Sequence, residues 1–109
     1  MAALGYIEIL DAKGHVLERH GVDALPLNIG RAYTNQIILN DPYVCPMHLA
    51  IALDEQGRLI ARDLDSVNGL GEGNVEARVA TLELHSGTQF RIGHTLLRYC
   101  SIDHPLAPT

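Results

Sequence analysis

HLAIALDEQGRLIARDL (residues 48–64) holds two short runs, HLAIALD and RLIARDL, each apolar or alternating and each bounded by turn-forming residues. EQG between them suits a tight turn, so the stretch predicts two strands and no helix. The same pattern extends in both directions. In GYIEIL (5–10) Ile7 and Ile9 alternate with Tyr6 and Glu8, which predicts a strand with one apolar and one wet face. The turn at 11–14 and HVLERHGV (15–22) then complete a hairpin. ALPLNIG (24–30), QIILN (36–40), VEARVATLEL (75–84), TQFRIG (88–93) and HTLLRYCSI (94–102) also read as strands. DSVNGLGEGN (65–74) reads as a loop. No window of about 12 residues keeps a helical period, and turn signals recur every ~8–12 residues, so the expected class is an all-β sandwich or barrel.

Length and composition narrow the functional classes. A chain of 109 residues suits one domain with one core. With 47% hydrophobic and 19% charged residues, it has the composition of an ordinary globular protein. No apolar run is long enough to span a bilayer, so no membrane contact is expected of this segment. Four Tyr, one Phe and no Trp offer little for base stacking, and a net charge of −5 repels polyphosphate, so nucleic acid is not an expected partner. Cys45 and Cys100 are too few for a disulfide framework and lack the CxxC spacing of a metal or redox site. MAALGYIEIL (1–10) has no basic region before its apolar stretch, so no signal peptide is read there, and with only two cysteines the expected location is the cytoplasm.

In a β-sandwich the strands form a frame and the end loops present special residues. Three loops are rich in them: 31–35, 41–47 and 65–74. Gly30-Arg31, Asn35, Val-Cys-Pro-Met-His at 44–48, Asp-Leu-Asp-Ser-Val-Asn-Gly at 63–69 and LHSGTQFRIG at 84–93 follow one another in an order that resembles the forkhead-associated (FHA) domain. That family's pattern is GR, a nearby Asn, S-x-x-H, D-x-x-S-x-N-G and L-x-x-G-D-x-I-x-x-G. The resemblance covers Leu25 to Tyr99. It implies an FHA-like β-sandwich of about eleven strands over residues 1–103, with end loops forming the binding surface and 104–109 a tail or the start of a linker to a further C-terminal region. It also implies a non-catalytic adaptor that binds phosphothreonine peptides, in a bacterial regulatory setting.

By the resemblance, Arg31, Thr34 and Asn68 are the candidate phosphopeptide-binding residues. A phosphothreonine carries nearly two negative charges, so its pocket needs a cation and several hydrogen-bond donors. Arg31 matches the cation, and Asn68 the residue that bonds the peptide main chain. Thr34 is a candidate to cover for a missing hydroxyl. Gly30, Asn35, His48, Ser66 and Gly69 match positions that shape the loops, with His48 architectural rather than catalytic. Three positions depart from the pattern. Cys45 replaces the serine hydroxyl with a weak thiol donor, and Pro46 lacks both an N–H and a charge where Arg, Lys or Asn is common. Val67 stands where a hydroxyl or basic residue is frequent. Leu70 replaces the usual Thr, and Gly71, Glu72 and Gly73 suggest a flexible, acidic loop.

Two readings of this set stay open. In one, the domain is a degenerate member that binds a protein partner with weak or no recognition of phosphothreonine, through a sandwich face or through Cys45, Pro46, Met47 and Val67 beside Arg31. In the other, Arg31 and Asn68 still hold a phosphothreonine peptide in signalling. A metal-dependent enzyme is a remote third: His15, His20, His48, His85, His94 and His104 show no HxH or HExxH spacing. Ser66, Ser86 and Ser101 lack a nucleophile elbow. No catalytic residue, metal ligand or cofactor is therefore expected.

Overall fold

A computed structural model describes residues 4–73, 75 and 77–103. His104 and the tail lie outside the described residues. Among the described residues eleven strands follow one another: β1 Gly5–Leu10, β2 Val16–Gly21, β3 Leu27–Gly30, β4 Ile37–Ile38, β5 Leu49–Leu53, β6 Leu59–Asp63, β7 Leu70–Glu72, β8 Arg78–Val79, β9 Thr81–Glu83, β10 Gln89–Ile92 and β11 Thr95–Ser101. They form a six-stranded sheet in the order β2-β1-β11-β10-β7-β8 and a five-stranded sheet in the order β4-β3-β5-β6-β9. The all-β class and the number of strands agree with expectation.

Alternation explains how the sheets meet. Ile7 and Ile9 of β1, Leu27 and Ile29 of β3, Leu49 and Ile51 of β5, and Phe90 and Ile92 of β10 are all buried in one continuous core. Their opposite-parity neighbours point to the outer faces. Phe90, Ile7, Ile29, Leu49 and Ile51 are essentially inaccessible. Side chains of this size each contribute about 1.5–3 kcal/mol on full burial, so the inner faces carry most of the cohesion. Few aromatics are needed because aliphatic residues fill the layer.

Three expectations require correction. Leu70–Glu72 is a strand, although 65–74 reads as loop: Leu70 is fully buried opposite Ile92, and Gly71 pairs with Arg91. The glycines conceal it because they carry no alternation signal. It follows that Glu72, opposite Phe90 in the ladder, is not part of a flexible acidic loop. VEARVATLEL is not one strand, because β8 pairs with β7 in one sheet and β9 with β6 in the other. The chain changes sheets at Ala80, whose carbonyl accepts the Asp63 N–H at 2.9 Å. Last, Glu8 is not on a wet face. It is 3% exposed, and Arg19 and Arg98 on the flanking strands donate to its two carboxylate oxygens at 2.9 and 2.7 Å. Burial raises the Glu8 carboxyl, but hydrogen bonds from Arg98, Cys100 and Arg19 outweigh it and leave the group below the usual carboxylate range.

Candidate functional site

The β3–β4, β4–β5 and β6–β7 loops converge at one end of the sandwich. Gly30 closes β3 because a side chain there would strike the Pro46 carbonyl and the Asn35 amide. Without that obstacle the two loops lie side by side, with Arg31 N–H donating to Cys45 O at 3.0 Å and Ala32 N–H to Pro46 O at 3.2 Å. Asn35, buried beneath, donates its amide to the Ala32 and Pro46 carbonyls, both at 2.7 Å. These contacts make the β3–β4 and β4–β5 loops a single backbone unit.

The β4–β5 loop is also tied to the far sheet. Asp41 accepts from the Tyr43 N–H at 2.9 Å, and from the His94 N–H and Thr95 hydroxyl at 2.8 Å each. Burial raises the Asp41 carboxyl, while these three donors lower it and prevail. Tyr43 stacks on His94 with ring centroids 3.9 Å apart. His48, with no exposed surface, joins the β4–β5 and β6–β7 loops: its Nδ1 accepts the Cys45 N–H at 3.0 Å and its Nε2–H donates to Gly69 O at 2.8 Å. The acceptor role of Nδ1 sets the neutral, Nε2-protonated tautomer.

The β6–β7 loop is braced from two sides. Ser66 donates its hydroxyl to Asp63 and accepts the Gly69 N–H at 2.8 Å. Arg78, from β8, donates to Val67 O at 3.1 Å and Ser66 O at 3.0 Å. Gly69 adopts φ +79°, and a side chain there would overlap the Arg78 guanidinium. The sequence motifs do not point to Asp41, Tyr43 or Arg78, and they include Asp63 only as the first residue of D-x-x-S-x-N-G and His94 only among the scattered histidines. Asp41 had a usable signal, since Asp-Pro favours a turn closed by the Asp side chain. Arg78 had none, because its contacts depend on the sheet change at Ala80.

Between these loops lies a groove of about 300 Å³, lined by Arg31, Pro42, Tyr43, Val44, Cys45, Pro46, Val67 and Asn68. It brings together Arg31, Asn68, Cys45, Pro46 and Val67. Thr34 is outside it, with its hydroxyl directed to Met47 Sδ at 3.9 Å. Arg31 donates Nε–H to Val44 O at 3.0 Å, and its guanidinium makes no ion pair among the described residues. Cys45 Sγ accepts the Val67 N–H at 3.4 Å, and Asn68 donates its amide to Tyr43 O at 2.8 Å. Exposed apolar side chains edge the groove: Val67 is 76% accessible and Tyr43 50%. Among the described residues no three His, Cys, Asp or Glu side chains gather as a metal site, and no helix is long and apolar enough to cross a membrane.

Comparison with known proteins agrees with this architecture. The FHA domain family model matches residues 27–93. A domain solved in a structural and functional analysis of phosphothreonine-dependent FHA domain interactions is 30% identical, with a TM-score of 0.74 over 93% of this chain and 97% of that one. The FhaA FHA domain, solved in complex with the intracellular domain of Rv3910, is 29% identical, with a TM-score of 0.71 over 86% of this chain and 97% of that one. The FHA domain of CT664 from Chlamydia trachomatis, 18% identical with a TM-score of 0.73 over 88% of this chain and 95% of that one, shares the fold. Curated protein sequences provide no match. With the family model spanning more than half of its length, and the strands and loops of the sandwich in place, the chain belongs to the FHA family of phosphothreonine-binding protein interaction modules.

Proposed function

We propose that this domain is a non-catalytic adaptor that docks a partner protein at its loop end with weak or no recognition of phosphothreonine. The observation that carries this reading is the contact between Cys45 and Val67. The sulfur at the family's serine position accepts the Val67 N–H, which takes that amide out of the groove and leaves only a thiol, a weak donor, where the family has a hydroxyl. Pro46 has no N–H to give, the Cys45 N–H is spent on His48, and one of the two Asn68 amide hydrogens is committed to Tyr43 O. Arg31 is left as the main cationic donor. A phosphate dianion held by one guanidinium, without the neighbouring donors, loses about 1.5–3 kcal/mol for each missing charge-assisted bond. Two such losses move a micromolar site to roughly 100 µM or weaker.

A second reading, phosphothreonine binding through Arg31 and Asn68, draws support from the Arg31 guanidinium, which makes no ion pair among the described residues, and from the 30% identical domain studied for phosphothreonine-dependent interactions. The two separate in a fluorescence-polarisation titration of a phosphothreonine peptide library against wild type and Arg31→Ala. Millimolar or absent binding that ignores the substitution is expected. Micromolar binding abolished by Arg31→Ala would establish the second reading instead.

A further inference from the structure

We infer that the groove takes an acidic peptide segment of a partner protein, anchored by one Asp or Glu carboxylate on Arg31 and flanked by apolar residues. The inference rests on the phosphate-independent docking proposed above and specifies its ligand. With Nε–H committed to Val44 O, Arg31 has its orientation set and the edge formed by Nη1 and Nη2 left to bind. That edge carries two parallel N–H groups, which match the two oxygens of a planar carboxylate. A carboxylate asks for little else, because one unit of charge meets one guanidinium. A phosphothreonine brings nearly two negative charges and a third oxygen, while beside Arg31 the Cys45 and Val67 N–H groups are already used and what is left is a weak thiol and one Asn68 amide hydrogen.

The charge of the whole domain points the same way. At −5 the chain's field opposes any anion, and it opposes a dianion about twice as strongly as a monoanion. The rim then decides what flanks the anchor. Tyr43, Pro46 and Val67 line the same groove as Arg31 and offer exposed apolar surface. They favour Leu, Val or aromatic neighbours over a strongly acidic run.

The test begins with selection of a phage-displayed random peptide library on the wild-type domain. A recovered peptide is then synthesised in three forms, with Glu, Gln or phosphothreonine at the anchor, and titrated by calorimetry. The inference expects recovered sequences to carry an Asp or Glu between apolar residues, and expects Glu→Gln to weaken binding about tenfold or more. Arg31→Ala should cause a similar loss with the circular dichroism spectrum unchanged, and Val67→Asp should weaken the Glu peptide while leaving the fold intact. Equal binding of the Glu and Gln forms overturns the carboxylate anchor and leaves phosphate-independent docking standing. Tightest, Arg31-dependent binding of the phosphothreonine form overturns both. Failure to recover any peptide whose binding needs Arg31 also overturns the inference.

Discussion

Replacing His48 with alanine removes a buried side chain that bonds to both the β4–β5 and the β6–β7 loop. The ring is fully buried, accepts the Cys45 N–H at 3.0 Å and donates to Gly69 O at 2.8 Å. His48→Ala leaves a donor and an acceptor without their partner, and each such buried group costs about 1–3 kcal/mol. The site is at the open end of the sandwich, where water can enter the vacated space and recover part of that, so the expected loss is about 2–4 kcal/mol. For a domain of this size the midpoint of thermal unfolding should drop by roughly 10–20 °C. Far-UV circular dichroism measures the midpoint, and amide hydrogen exchange locates the loosening at Cys45 and the β6–β7 loop. Thr34→Ala is the control: its hydroxyl is exposed and reaches only Met47 sulfur at 3.9 Å, so the change should stay within about 0.5 kcal/mol. A His48→Ala loss below about 1 kcal/mol, or unchanged exchange at Cys45, would refute the view that this ring holds the loops together.

Further predictions concern the braces and the buried carboxylates. Gly69→Ala should destabilise by about 1–3 kcal/mol because it combines φ +79° with overlap on Arg78; in an Arg78→Ala background the cost should fall to that of the backbone alone, as a double-mutant cycle would reveal. Glu8→Gln should cost about 2–4 kcal/mol in denaturant unfolding, since Arg19 and Arg98 would both lose their anionic partner. Glu8 and Asp41 are both held below their ordinary values. Their contribution to stability is present above the unfolded-state pKa of about 4 and is lost as pH falls through the lower folded-state values, so acid unfolding should set in below about pH 4. Asp41→Asn and Glu8→Gln should each flatten the pH dependence of the unfolding free energy in that window.

Strand periodicity made most of this fold legible. β1, β5, β6, β10 and β11 lie within the runs expected of them because each buries apolar residues against the core, and β2, exposed along almost its whole length, is placed by the hairpin turn before it. β7 escaped because two of the three residues in Leu70-Gly71-Glu72 give no apolar signal. The change of sheets at Ala80 depends on pairings with β6 and β7 that a local pattern does not encode. At the site, the clustering of Arg31, Cys45, Val67 and Asn68 was legible through the order of the motifs. The role of each hydrogen bond was not. That Cys45 accepts from Val67, and that Asn68 donates one amide hydrogen to Tyr43 O, are consequences of loop conformation rather than of residue type. Arg78 braces the β6–β7 loop from β8, and Asp41 ties its own loop to His94 and Thr95 far along the chain, contacts that no local pattern encodes.

The shortage of phosphate donors at Cys45 and Pro46 is tested most directly by putting them back. Cys45→Ser with Pro46→Arg restores a hydroxyl, a backbone N–H and a cation beside Arg31, and calorimetry with one phosphothreonine peptide compares the double variant with wild type. Two regained charge-assisted bonds predict a gain of about a hundredfold or more, again lost on Arg31→Ala. Micromolar binding by the wild-type domain, with no gain in the double variant, would contradict the account.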